Sequence, residues 1–286
     1  MSKRVSDLID PSQFAQIFAV RDPAGHKGSF GSSAIVGGAP SMVGAAVLAG
    51  RAALKSGCGR VYVGLAQESV LFDVDVGQPE LMWRALDALI DISEQITAWG
   101  VGCGLGDSNY GLQCLKAVFS HRAGSPLVID ADALNALARG DVSATWGQGS
   151  VVLTPHPAEA ARLLNTDVSS VQADRIKAAQ TLAARFNAWV VLKGQHTVIC
   201  RPDGQCQTNT TGNVGLATAG SGDVLTGLLT SLLAQGFTTE VAVPAAVWLH
   251  GKAADELVAQ LGGPIGLTAS ELIDTIRKLR NTLKPN

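Results

Sequence analysis

Seven short apolar runs recur along the chain, at 34–37, 60–65, 97–101, 127–130, 151–154, 189–193 and 197–201, and helical patterns separate most of them. No other feature restricts the fold as strongly. Successive strands joined through helices pair in parallel by crossover connections. Strands that are apolar throughout need cover on both faces. The expected fold class is therefore α/β, with a central, mostly parallel sheet covered by helices on both faces. Helices are expected at about 42–56, 109–120, 132–138, 157–164 and 169–186, and again at 222–235, 240–260 and 268–281, where the chain becomes helix-rich. No linker, repeat or low-complexity tract interrupts the 286 residues, so a single domain over 1–286 is expected.

Composition removes several classes of function. The net charge is −2 and no long basic run exists, whereas nucleic-acid binding needs clustered Lys and Arg to neutralise phosphates. The uncharged stretch 28–50 is cut by Gly31, Gly37, Gly38, Pro40 and Gly44, so it reads as strand, turn and helix and not as a membrane span. The N-terminus lacks the pattern of a signal peptide. The five cysteines, Cys58, Cys103, Cys114, Cys200 and Cys206, include no CxxC pair. That odd count points to reduced thiols in a cytoplasmic protein, not to a disulfide frame or a zinc site. The histidines have no HxH or HxxxH spacing, which argues against a transition-metal centre.

In open α/β sheets, ligands bind beyond the carboxyl ends of the strands. The segment 219–229, AGSGDVLTGLL, has the makings of such a site. Val224, Leu225, Leu228, Leu229, Leu232 and Leu233 have helical spacing, and Gly236 suits the helix end. Gly220, Ser221 and Gly222 leave the first amides unobstructed, which with the helix dipole makes an anion hole. A carboxylate beside an anion site is electrostatically odd. Asp223 makes sense there if it takes a proton from a hydroxyl that attacks a bound phosphate. The plainer alternative is an acid that complements the helix dipole. No GxxxxGK[ST] motif is present, so a P-loop is disfavoured.

Four further stretches follow or precede strands. Lys193 ends an apolar run at what would be the sheet edge, and LKGQHT (192–197) is either a phosphate contact or a polar hairpin. HKGSFG (26–31) joins Lys27 to small residues able to fold over a ligand, or is a solvated loop. In TPHPAE (154–159), Pro157 and Glu159 suit the first turn of a helix and fix His156. Asp130, Asp132 and Asn135 follow a strand; Asp132 could cap the next helix, and Asn135 would lie on its ligand-facing turn.

Taken together, HKGSFG, SMVGAAVLAGRAALKSGCGRV (41–61), GCGLG (102–106), VIDADALNAL (128–137), VVLTPHPAEAARLL (151–164), VVLKGQHTVI (190–199), NTTGNVGLATAGSGDVLTGLL (209–229) and AAVWLHGKAAD (245–255) resemble the ADP-dependent NAD(P)H-hydrate dehydratases of the ribokinase-like superfamily. The GxGD element is shared with many sugar and vitamin kinases; the pairing of HKGSFG with LTPHPAE is more specific. The resemblance implies dehydration of the S epimer of NADHX or NADPHX at the expense of ADP, giving AMP, phosphate and the restored cofactor. It implies Asp223 as the base. It assigns Ala45, Gly104, His156 and Asp223 to the hydrate, and Lys193, Gly194, Gln195, His196, Thr197 and Gly222 to the nucleotide. It also implies Mg²⁺, held mainly by phosphates and waters because protein ligands are not evident, and a cytoplasmic homotetramer. Only about 25 residues precede HKGSFG, so an NAD(P)HX epimerase is expected as a separate protein. Cys103 stands where relatives often have Pro, which loosens the rigidity argument for that loop. Two alternatives are a small-molecule kinase of the same superfamily and a catalytically idle nucleotide-sensing protein. The retained Asp223 counts against the latter.

Overall fold

The computed structural model describes residues 7–69 and 74–283; residues 1–6, 70–73 and 284–286 lie outside it. Among the described residues, one sheet runs β1 (Asp7–Leu8), β10 (Cys206–Thr208), β9 (Val198–Cys200), β8 (Trp189–Leu192), β7 (Val151–Leu153), β6 (Leu127–Ile129), β5 (Ala98–Val101), β2 (Ser32–Gly37), β3 (Arg60–Leu65) and β4 (Met82–Arg84). The stretch from β8 to β4 is entirely parallel, while β9 is antiparallel to both β8 and β10.

Each strand sends alternate residues to opposite faces. Val61, Val63, Ala98, Val128, Val152 and Val191 enter one core, against α1 (Val43–Lys55), α8 (Ser221–Ala234), α9 (Thr239–Leu261) and α10 (Ala269–Thr282). Ala34, Val36, Trp99, Val101, Leu127, Leu153 and Val190 enter the other. That core is closed by α2 (Leu86–Ile90), α3 (Asn109–His121), α4 (Ala131–Arg139), α5 (Pro157–Leu164), α6 (Val168–Ala173) and α7 (Arg175–Phe186). Close approach of α1 and α8 depends on Gly227, since a Cβ there would overlap the Ala49 carbonyl. No helix among the described residues is long and apolar enough to cross a membrane.

Four differences from the sequence reading have clear causes. The single helix expected over 169–186 is two, because Asp174 leaves helical geometry and caps α7 by accepting from Lys177 N at 3.0 Å. The short strands β1, β4 and β10, reading DL, MWR and CQT, lack the continuous apolar run that marks the equally short β6 and β7. Lys193 lies at the carboxyl end of β8, between β7 and β9, and not at a sheet edge. Cys200 and Cys206 form a disulfide, against the expectation of reduced thiols. They face each other in register across β9 and β10, with Cα atoms 4.2 Å apart. Cysteine parity carries no information on hairpin register, so this pairing was hidden. Cys58, Cys103 and Cys114 are free and buried.

Candidate active site

Three strands, β5, β6 and β8, end in polar groups that converge on the first turn of α8. Gly220 caps that helix in the left-handed region, at φ +88°, which glycine adopts without a Cβ penalty. Ser221 then anchors the turn by donating its hydroxyl to the Leu216 carbonyl at 2.8 Å. The amides of Gly222 and Asp223 fall in the first turn, where no i−4 carbonyl exists to accept them. The helix dipole adds partial positive charge at the same place.

Asp223 opens onto this turn, half-buried. Its carboxylate lies within 4.8 Å of the Cys103 thiol, which follows β5, and of the Asp130 carboxylate, which follows β6. Burial pushes the Asp223 carboxyl up to about 6; a hydrogen bond from Cys103 opposes this, Asp130 adds to it, and Lys193 works against it. An acid that merely complemented the helix dipole would be pulled down. Lys193 places Nζ 2.6 Å from Asp130 Oδ1, and Thr226 donates to Asp130 Oδ2 at 2.9 Å. Burial disfavours the ammonium, but Asp130 and Glu159 outweigh it and hold the Lys193 pKa above its ordinary value.

A cavity of about 510 Å³ opens beside these groups. One wall is the β8–β9 connection, Lys193, Gly194, Gln195, His196 and Thr197, and Ser221 and Gly222 border it. Gly194 is at φ +137° and His196 at φ +54°. Arg175 of α7 holds this connection from behind, donating to the carbonyls of Leu192 at 2.9 Å and Lys193 at 3.2 Å. The opposite wall is the 209–214 segment, tied to α9 through Asp255, which accepts from Gly212 N and Asn213 Nδ2 at 3.0 Å each. His250 of α9 also faces the cavity, with Nε2 2.9 Å from the Ser221 carbonyl. Burial lowers His250 to about 4, so it is neutral and donates from Nε2.

Ala45, Gly104 and His156 lie beyond this cavity's lining. Gly104 is at φ +58°, and a Cβ there would come within 3.1 Å of the Ala45 Cβ, so these two are neighbours. Cys103 links them to Asp223. His156 caps α5: Nδ1 accepts from Ala158 N at 3.0 Å and Glu159 N at 3.4 Å. The imidazole therefore carries its proton on Nε2, which lies 3.3 Å from Glu159 Oε1. Burial, then the charges of Lys193 and Arg162, lower its pKa.

Other residues singled out in the sequence take partners that the sequence did not suggest. Asp132 does not cap α4; its Oδ2 accepts from Gly106 N at 2.9 Å and so secures the glycine loop after β5. Asn135 accepts from Arg162 at 3.0 Å. The 26–31 loop sits at the amino end of β2, away from the converging strand ends, where Phe30 O accepts from Gly59 N. Thr226 and Arg175 were missed, and the 209–214 wall was singled out only as part of the 209–229 motif, with no role given. Thr226 had a sequence signal, being three residues from Asp223 and thus on the same helix face.

Cys103, Asp130 and Asp223 are the grouping of possible metal ligands among the described residues. They do not fit Mg²⁺, which demands octahedral oxygen ligands. The Cys103 pKa is raised well above its usual value, first by burial and then by Asp223, so it keeps its proton, and Asp130 is already paired with Lys193.

A largely parallel sheet, helices on both faces and a GxGD turn opening a helix define a ribokinase-like protein. The chain belongs to the NAD(P)H-hydrate dehydratase family, whose model matches residues 33–278. It is 45% identical over 273 residues to the ADP-dependent (S)-NAD(P)H-hydrate dehydratase of Neisseria meningitidis serogroup B, covering 95% of this chain and 92% of that protein. It is 40% identical over 266 residues to the bifunctional NAD(P)H-hydrate repair enzyme Nnr of Moorella thermoacetica, covering 89% of this chain but 50% of that protein. Among solved structures, the ADP/ATP-dependent NAD(P)H-hydrate dehydratase from Bacillus subtilis, co-crystallized with ATP/Mg²⁺, is similar with a TM-score of 0.85 and 32% identity, over 97% of this chain and 98% of that one.

Proposed function

We propose that this protein is an ADP-dependent hydro-lyase that dehydrates the S epimer of NADHX and NADPHX, restoring the reduced cofactor with release of AMP and phosphate. The observation that carries the reading is Asp223, a carboxyl raised to about 6 at a helix mouth, beside the amides of Gly222 and the ammonium of Lys193. Hydroxide is a poor leaving group and phosphate a good one. Asp223 takes the proton from the hydrate's hydroxyl while that oxygen attacks the β-phosphorus of ADP, and AMP leaves. The first-turn amides that follow Gly220, at Gly222 and Asp223, and Lys193 stabilise the charge on the transferring group. The ring nitrogen then pushes electrons toward the phosphorylated carbon, phosphate departs, and loss of a proton from the adjacent carbon re-forms the double bond.

Lys193, Gly194, Gln195, His196, Thr197 and Gly222 hold the AMP part of the nucleotide in this reading, and Ala45, Gly104 and His156 receive the hydrate. Mg²⁺ enters it as a counter-ion of the nucleotide phosphates, without a protein cage. The same reading includes one dehydratase domain, a cytoplasmic setting, a homotetramer and cooperation with an NAD(P)HX epimerase.

The test mixes pure protein with NADHX and ADP and follows the returning reduced-nicotinamide absorbance. Phosphorus NMR of the finished mixture should give one inorganic phosphate and one AMP per cofactor restored. A lasting phosphate monoester without free phosphate would move the chain to the kinases, and ADP binding without turnover would make it a sensor.

A further inference from the structure

Lys193 stands in an unfavourable place for a cation. Its side chain is 20% exposed, and its ammonium sits beside the first turn of α8, the positive end of the helix dipole. A Cβ at Gly222 would come within 3.4 Å of Lys193 Nζ and 3.7 Å of Asp130 Oδ2. Asp130 is what makes the position tenable. Its side chain is 2% exposed, its Oδ1 accepts from Lys193 at 2.6 Å, and its Oδ2 is fixed by Thr226 at 2.9 Å. The same carboxylate lies within 4.8 Å of Asp223.

We propose that Asp130 is a positioning residue for the phosphoryl transfer: one oxygen fixes the Lys193 ammonium beside the Gly222 turn, and the same carboxylate stands against Asp223 as a fixed negative charge. This rests on the dehydratase reading above. Two tasks follow from one side chain. Without Asp130, the ammonium would be repelled from the helix mouth and lost to the phosphoryl group. The negative charge also disfavours ionisation of Asp223, which keeps that carboxylate basic enough to take a hydroxyl proton. The other charged or titratable groups facing Asp223 are Cys103 after β5, Asp132 of α4 and Lys193 after β8; those acting on Lys193 are Asp130, Glu159 and Cys103.

The test is Asp130→Asn, with two readouts. The acid limb of the kcat/KM profile should move to lower pH, by up to about one unit, since the like charge removed acts on Asp223 more strongly than the Lys193 charge that leaves with it. ADP should bind about tenfold more weakly by calorimetry, because the ammonium is no longer held. A buried acid that serves only to hold the fold would lower stability and leave the acid limb in place. An unmoved limb with ADP affinity equal to the wild type overturns the proposal. The double variant Asp130→Leu/Lys193→Met removes both charges, so it leaves no unpaired buried ion and guards against a folding failure. It is expected to lose no more ADP affinity than Lys193→Met alone, and a greater loss overturns the coupling. ADP calorimetry needs no hydrate. A wild-type protein that binds ADP but restores no cofactor would therefore sink the dehydratase reading while these variants still decide the role of Asp130.

Discussion

At the scale of single residues, charge and tautomer decide what each group can do. Asp223 must be ionised to act as a base, so kcat/KM should rise with pH through about 6 and level off above it. Below that value it should fall about tenfold per pH unit. Asp223→Asn should keep ADP binding and lose roughly 10²–10⁴ in turnover; near-normal turnover would return Asp223 to dipole complementation. His156 has one job in the fold and a second in the proposed reaction, and the two are separable. Its Nδ1 caps α5, which fixes the neutral ring with Nε2 protonated. His156→Ser keeps a capping oxygen. The variant should melt near the wild-type temperature yet show a raised KM for the hydrate. An unchanged KM would leave His156 as a helix cap alone. The local geometry was legible in the chain: the order TPHPAE announced the capped helix, and AGSGD announced the acid at a helix mouth. The partner that tunes Asp223, namely Asp130, is 93 positions away and could not be read from spacing.

At the scale of elements, α8 is the part that converts packing into geometry. It crosses the sheet against β2, β5 and β6, with its first turn at the strand ends that carry Asp130 and Cys103. Its depth in that groove is set by the absent side chain of Gly227 against the Ala49 carbonyl. Gly227→Ala should force α1 and α8 apart, at about 1–3 kcal/mol. That corresponds to a fall of several degrees in Tm, roughly 2–4 °C per kcal/mol for a chain near this size. A variant that melts with the wild type would mean the two helices have room that the geometry denies them. The elements themselves were mostly legible, because β3 and α5 have strong periods and clear ends. The break between α6 and α7 was not: Asp174 reads as a surface helix residue until its side chain is seen capping Lys177.

At the scale of the whole molecule, topology gathers what the sequence scatters. The Cys200–Cys206 bridge closes the β9–β10 hairpin, whose two ends, Thr197 and Asn209, both line the nucleotide-sized cavity. Thiol titration of the denatured protein should therefore find three free thiols before reduction and five after it. Five before reduction would remove the bridge. Sedimentation should give a mass about four times the 29.5 kDa chain if the homotetramer holds, and a monomer would remove that part of the proposal. The sequence by itself determined the α/β class, since apolar strands alternating with helices have few ways to hide both sheet faces. It also determined that polar groups would follow the strands and that an acid would open a helix behind the 219–223 turn, because those preferences are local and depend on residues a few positions apart. Tertiary structure alone decided that Lys193 pairs with Asp130, that Asp132 serves the glycine loop and not its own helix, that His250 reaches Ser221, and that the 26–31 loop stands at the other end of the sheet. Each of these depends on which strands are neighbours and on which helix crosses them. Such contacts are made by groups far apart in the chain, and no local periodicity encodes them.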